Sequence, residues 1–199
     1  MTAETHLRRP GRPRSERAEK AIIEATLDLL AEEPGVAGVS IEAVAARAGV
    51  GKTTIYRRWP NKEALIIDAL ASLKAPLPEV EGLSVRADLI ALGQAMVGEY
   101  NSKHSRCMWN VMGGAEKHPQ LLEQFEAQVM RPRKEVFRRV LAGGIERGEL
   151  RDDLDLDVAR FLLIGALTLR GRSMSDIPPL AEDFVEKVVD TLLFGLAPR

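Results

Sequence analysis

The stretch SIEAVAARAGVGKTTIYRRW, residues 40–59, constrains the chain more than any other. Ser40 reads as an N-cap, and Ile41, Val44, Ala45 and Ala48 set an apolar stripe at helical spacing. Gly49 stops that helix. A second helix can begin near Gly51 but must end before Pro60, because a residue preceding proline is pushed out of the helical region. Two helices this short, joined at a glycine, fit a helix-turn-helix, which packs its helices at a steep angle. The inner face of the first helix then needs a small residue, which Ala45 supplies. Four positions later the turn needs a positive φ, which Gly49 adopts at little steric cost. Val44, Ala48, Val50 and Ile55 turn inward and bury the seam. Lys52, Thr53, Thr54, Arg57 and Arg58 remain outward, and all can donate hydrogen bonds. Those are the groups that a helix laid in the major groove of double-stranded DNA requires.

Charge supports this reading only once the chain is divided. The net charge is −1, yet residues 1–62 carry +3 and the remaining residues −4. Residues 43–62 hold Arg47, Lys52, Arg57, Arg58 and Lys62 with no acid; residues 8–17 hold five arginines against Glu16 alone. Two basic clusters near one end suit a phosphate-facing surface, although a solvated face would carry the same pattern.

The remaining organisation is all-α. Residues 1–14 contain arginine-proline steps and few apolar side chains, and read as a flexible basic arm. Ser15 then caps a helix with Glu16 in its first turn and Ala18, Ile22, Ala25, Leu29 and Leu30 on its apolar side, ending at Pro34-Gly35. Asn61 caps a fourth helix carrying Ala64, Leu65, Ile67, Asp68 and Leu70. After the connector Ala75-Pro76-Leu77-Pro78-Glu79 only helical patterns follow, separated by Gly113-Gly114, Gly143-Gly144, Gly148 and Pro178-Pro179. Pro132 is expected to kink or break the helix over 119–145. No segment alternates with period two, and no apolar run reaches the ~18 residues that span a bilayer. A cytoplasmic protein without a membrane partner is expected.

In the arm, Arg8-Arg9-Pro10-Gly11-Arg12-Pro13-Arg14 resembles an AT-hook, whose arginines lie in a narrow minor groove; Arg12 and Arg14 are the DNA-contacting candidates. A tail that adds only nonspecific affinity is the alternative.

Residues 40–65, above all GVGKTTIYRRWPNKEAL, resemble the DNA-binding domain of TetR-family transcriptional regulators, and GELRDDLDLDVARFLLIGAL resembles the family's dimer-forming helix more weakly. The resemblance implies a three-helix reading head joined by a fourth helix to a larger ligand-binding helical domain. The expected division is an arm over 1–14, the DNA-binding domain over 15–60, a connecting helix over 61–74, and a ligand-binding and dimerisation domain over 75–199. It also implies phosphate contacts from Thr54, Tyr56 and Lys62, with Ser40 nearby, and base-edge contacts from Lys52, Thr53 and Arg57. Trp59 is expected to pack beneath the motif.

Residues 158–169 are apolar on nearly every side, so that helix must be covered more than once. Paired with the last helix it would form a two-fold, four-helix homodimer interface including Phe161, Ile164, Leu167, Val188 and Leu192; a buried helix in a monomer is the alternative. The resemblance places a sensing pocket among the preceding helices, with Met96, Tyr100, Met108, Trp109, Met112 and Phe125 as candidates. Few of the candidates are charged, so an apolar or aromatic small molecule is the expected ligand.

Enzymatic readings are poor. Residues 46–53, ARAGVGKT, imitate a phosphate-binding loop but lack its first glycine, a preceding strand and a long following helix. His6, His104 and His118 are scattered, Cys107 reads as a buried apolar residue, and the acidic run from Asp152 to Asp157 reads as a helix start rather than a calcium loop. No catalytic residue, metal site or cofactor is expected. The chain reads as a ligand-responsive, sequence-specific repressor, with an architectural DNA-binding protein lacking a ligand as the alternative.

Overall fold

The computed structural model describes residues 12–32, 36–97, 102–113, 117–170 and 182–195; the side chains of 12–15, 102–106, 109, 169 and 170 lie outside the description. The described residues are helical with no strand. In chain order the helices are α1 (Arg12–Glu32), α2 (Ile41–Ala48), α3 (Lys52–Tyr56), α4 (Lys62–Ser72), α5 (Val85–Val97), α6 (Ser102–Gly113), α7 (Pro119–Phe125), α8 (Arg131–Glu146), α9 (Leu156–Arg170) and α10 (Phe184–Phe194).

Caps and breakers act largely where the sequence put them. Ser40 Oγ accepts from Ala43 N–H at 3.0 Å and Asn61 Oδ1 from Ala64 N–H at 2.8 Å. Gly49 adopts φ 65°, ψ 35° and closes α2. Asp155 Oδ1 accepts from Asp157 and Val158 N–H, both at 3.0 Å, so the acidic run does start a helix.

Two expectations change and one takes a specific form. α1 begins at Arg12, ahead of Ser15, so Arg12 and Arg14 are helical rather than part of an extended arm. Pro13 permits this, because a first-turn N–H has no intrahelical partner to lose. The rest of the arm, residues 1–11, lies outside the described residues. The break expected at Pro132 takes a particular form: a π-helical turn, Glu126–Met130, interrupts the α-helix just ahead of it and joins α7 to α8. Widening that turn relieves the clash between the proline ring and the carbonyl four residues back. Gly143-Gly144 is not a separator but lies inside α8, where a Cβ on Gly144 would stand 2.3 Å from Val85 Cγ2. The missing side chain lets α8 approach the start of α5.

Two hydrophobic clusters organise the molecule. The first joins α1–α4 to α6 and α7 through Ile22, Leu30, Ile55, Leu70, Cys107 and Phe125. The second joins α5, α8, α9 and α10 through Leu89, Leu92, Phe137, Leu163 and Val189. Cys107 is fully buried, and its Sγ donates to Leu27 O at 3.1 Å. Asn110 Nδ2 donates to Leu30 O at 2.8 Å, satisfying a carbonyl left over at the end of α1. Thus α6 and α7, downstream of the connector, are packed into the same core as the helix-turn-helix.

Candidate functional site

The helix-turn-helix is held from below. Ile55 is fully buried beneath α3, with Val44 and Ala45 behind it on α2. Gly49 has open space around it, so glycine is required there by its φ and not by crowding. Trp59 is buried as expected, and its Nε1 donates to Asp68 Oδ2 at 2.9 Å. That bond fastens the residue just beyond α3 to the middle of α4.

On the outer face, Lys52, Thr53, Tyr56 and Arg57 are exposed together, with Thr54 and Lys62 half-buried beside them. Ser40 is also half-buried, with its hydroxyl engaged as the cap. Arg58 departs from the sequence reading. Its side chain is only 17% exposed, and Nε donates to Glu19 Oε2 at 3.2 Å, tying the end of the motif to α1. A helix turns about 100° per residue, so Arg57 and Arg58 cannot share one face. The Arg12 and Arg14 side chains lie outside the described residues.

A feature that sequence reasoning missed is the pair of Lys52 with Glu42, 2.6 Å apart across the turn. The hydrogen bond holds the Glu42 carboxyl below and the Lys52 ammonium above its ordinary value, and the opposite charges reinforce both shifts. Glu42 therefore competes with a phosphate for the first cation of α3. Arg47 makes a similar pair with Glu32 at 2.7 Å.

Deeper in the molecule, a cavity of about 430 Å³ lies between the two hydrophobic clusters. Met96, Met108, Met112 and Phe125, all sequence candidates, line it. Tyr100 and the Trp109 side chain lie outside the described residues. The fold adds what the sequence did not suggest: Lys74, Arg133, Lys134 and Arg160 line the same cavity, with Glu126 as the one acid among the described residues. The expectation of few charged groups is therefore corrected. Those cations come from the end of α4, from α8 and from α9, segments too far apart for any linear motif to unite them. Arg160 did leave a trace, as a cation inside an otherwise apolar run.

Helix α9 sorts its residues onto three faces at helical spacing. Ala159, Leu163 and Leu167 are buried in their own core, so Leu167 is not available to a partner. Phe161 and Ile164, also expected at the dimer interface, line the cavity. Leu162 and Ala166 instead face a groove shared with Val188, Thr191 and Leu192 of α10. Leu162 is 59% and Phe194 54% exposed, large values for apolar side chains.

Among the described residues no group of histidine, cysteine or acidic side chains could hold a metal ion, and no helix is long and apolar enough to cross a membrane.

Comparison with known proteins matches residues 22–69 to the family described as bacterial regulatory proteins, tetR family, and residues 81–192 to the tetracyclin repressor-like C-terminal domain. The uncharacterised HTH-type transcriptional regulator YdeS of Bacillus subtilis is 34% identical over 163 residues, covering 80% of this chain and 81% of that protein. The DNA-binding transcriptional repressor TetR of Mycobacteroides abscessus is 31% identical over 191 residues, covering 92% and 95%. Among solved structures, the TetR family transcription regulator SCO0332 superposes with a TM-score of 0.61 at 29% identity, over 92% of this chain and all of that one. With a reading helix set on a buried platform, and with both halves matched, the chain belongs to the TetR family of transcriptional regulators.

Proposed function

We propose that the protein is a homodimeric repressor that acts by binding alone, leaving its operator in the cytoplasm when a small molecule enters the cavity. The observation that carries this reading is the position of the cavity. Its wall takes Met108, Leu122 and Phe125 from the cluster that supports the reading helix, and Met96, Phe137 and Ile164 from the other. Lys74, just past α4, completes the contact with the reading head. A ligand wedged there changes the relation of the two clusters, and α4, tied to Trp59 through Asp68, carries the change to α3. Release requires tighter binding to the DNA-incompetent arrangement; equal affinity for both would shift nothing.

Dimer formation through the α9–α10 groove is the second part of the proposal. Leu162, Ala166, Val188 and Leu192 on one protomer, facing their symmetry copies, make an apolar four-helix seam. Two reading helices related by a two-fold axis then meet half-sites about 34–36 Å apart or a multiple of it.

Fluorescence anisotropy with the DNA upstream of the protein's own gene, across a salt series and beside an unrelated fragment, tests the regulator. Tight binding to the upstream fragment alone is expected. Equal affinity for both fragments would favour the architectural alternative. Light scattering tests the assembly: twice the monomer mass is expected, and a monomer at micromolar concentration would refute it.

A further inference from the structure

The charge on the cavity wall identifies a ligand class, given the reading of this cavity as the sensing site. Among the described residues its wall carries four cationic side chains and one acid, Glu126, which is already bonded to Lys134 Nζ. Arg160 is the informative one. It is only 7% exposed, yet among the described residues its only hydrogen bond is a 3.2 Å contact with Asp157, whose own side chain is 77% exposed. A guanidinium has five N–H donors in a fixed fork; Asp157 engages one of its nitrogens, and the rest of the fork stands on the cavity wall. Phe161 takes one face of the guanidinium, with the ring centroid 4.3 Å from Cζ, which orients the fork without satisfying its edge. Thr168 apart, the rest of the described wall is apolar, built largely of methionine and phenylalanine, and adapts to an irregular hydrocarbon or ring.

We propose that the cavity takes an amphipathic acid, its anionic group held by the Arg160 fork and its apolar body laid against Met96, Met108, Phe125 and Phe137. Planar, two-point acceptance of a carboxylate is what a guanidinium offers and an ammonium does not. Arg133, on the same wall, donates to Ala75 O at 2.6 Å, just beyond α4. An acid drawing on Arg133 therefore competes with the bond that fixes the connector, which gives the charged head a route to the reading head.

The test is calorimetric titration of the full chain with straight-chain carboxylates from octanoate to dodecanoate and with 2-naphthoate, each beside its uncharged methyl ester. Acids are expected to bind about tenfold tighter than their esters or better. Arg160→Met is expected to bring the acid-to-ester affinity ratio to about one, and Arg160→Lys to restore part of the preference. Equal affinity of acid and ester for the unaltered protein would overturn the charge assignment and leave the sensing-site reading standing. A preference that survives in Arg160→Met would overturn the role of Arg160. Binding of neither class would overturn the sensing site as well. Should Arg160→Met fail to fold, the acid-to-ester comparison on the unaltered protein still decides.

Discussion

Adjacent glycines in α8 provide a sharp check on the packing, because sequence and structure give opposite forecasts for one of them. By helix propensity alone, Gly143→Ala and Gly144→Ala should each stabilise the protein by about 0.5–1 kcal/mol. At Gly143 the added Cβ meets only Arg147, 2.9 Å from Nη1, the far end of a long side chain whose retreat gives up at most a part-exposed pair with Glu149, a contact of small worth. The propensity gain survives there. At Gly144 the Cβ would stand 2.3 Å from Val85 Cγ2 and 3.0 Å from Leu150 Cδ1. Val85 is fully packed, and its N–H is bonded to Glu149 Oε2 at 2.8 Å, while Leu150 N–H donates to the Gly144 carbonyl at 3.1 Å. Val85 is β-branched and 1% exposed, so its Cγ2 has little room to turn away, and overpacking of this kind costs about 1–3 kcal/mol. Set against the propensity gain, Gly144→Ala loses about 1–2 kcal/mol. At about 2–4 °C per kcal/mol for a chain this size, the two variants should melt about 3–12 °C apart, on opposite sides of the unaltered protein. Thermal unfolding followed by circular dichroism reads this directly. Equal stabilisation of both would refute the close approach of α8 to α5.

Three further outcomes concern the reading head. Lys62→Gln should weaken operator binding and reduce the salt slope by about 0.9, the share of one phosphate contact, whereas Arg58→Gln should leave the slope unchanged and lower the melting temperature by loosening α3 from α1. A slope lost at Arg58 would contradict its assignment. Gly49→Ala should cost about 1–2 kcal/mol through its φ of 65°, with no relief from the open space around it; an unchanged melting temperature would show the turn relaxing. Glu42→Gln should free Lys52 and tighten DNA binding with a steeper salt dependence. Because Glu42's pKa is lowered in the folded state, its pairing stabilises fully above the usual carboxylate range and is lost as pH falls through the lowered value. The stability difference between Glu42→Gln and the unaltered protein should therefore be flat from pH 6 to 8; a change within that window, measured by denaturant titration, would contradict the pairing.

The sequence by itself determined what depends on neighbours along the chain. Ser40, Gly49, Asn61 and Asp155 act through backbone groups within three or four residues, so their caps and turn were legible from type and spacing. The helix-turn-helix was legible for the same reason, since its seam and its outer face fall within twenty residues. Where a face is set by rotation about a helix, composition alone was insufficient. Arg58 looked equivalent to Arg57 until α1 brought Glu19 to it, and Leu167 looked equivalent to Leu162 until α5, α8 and α10 closed over one side of α9. The cavity was decided by tertiary structure entirely. Lys74 lies just past α4, Arg133 on α8 and Arg160 on α9, dozens of residues apart, and only packing gives them a common wall. A charge's meaning depends on what surrounds it in space: the same arginine is a solvated surface group in one fold and, on the wall of a largely apolar cavity in this one, the proposed holder of an anionic head.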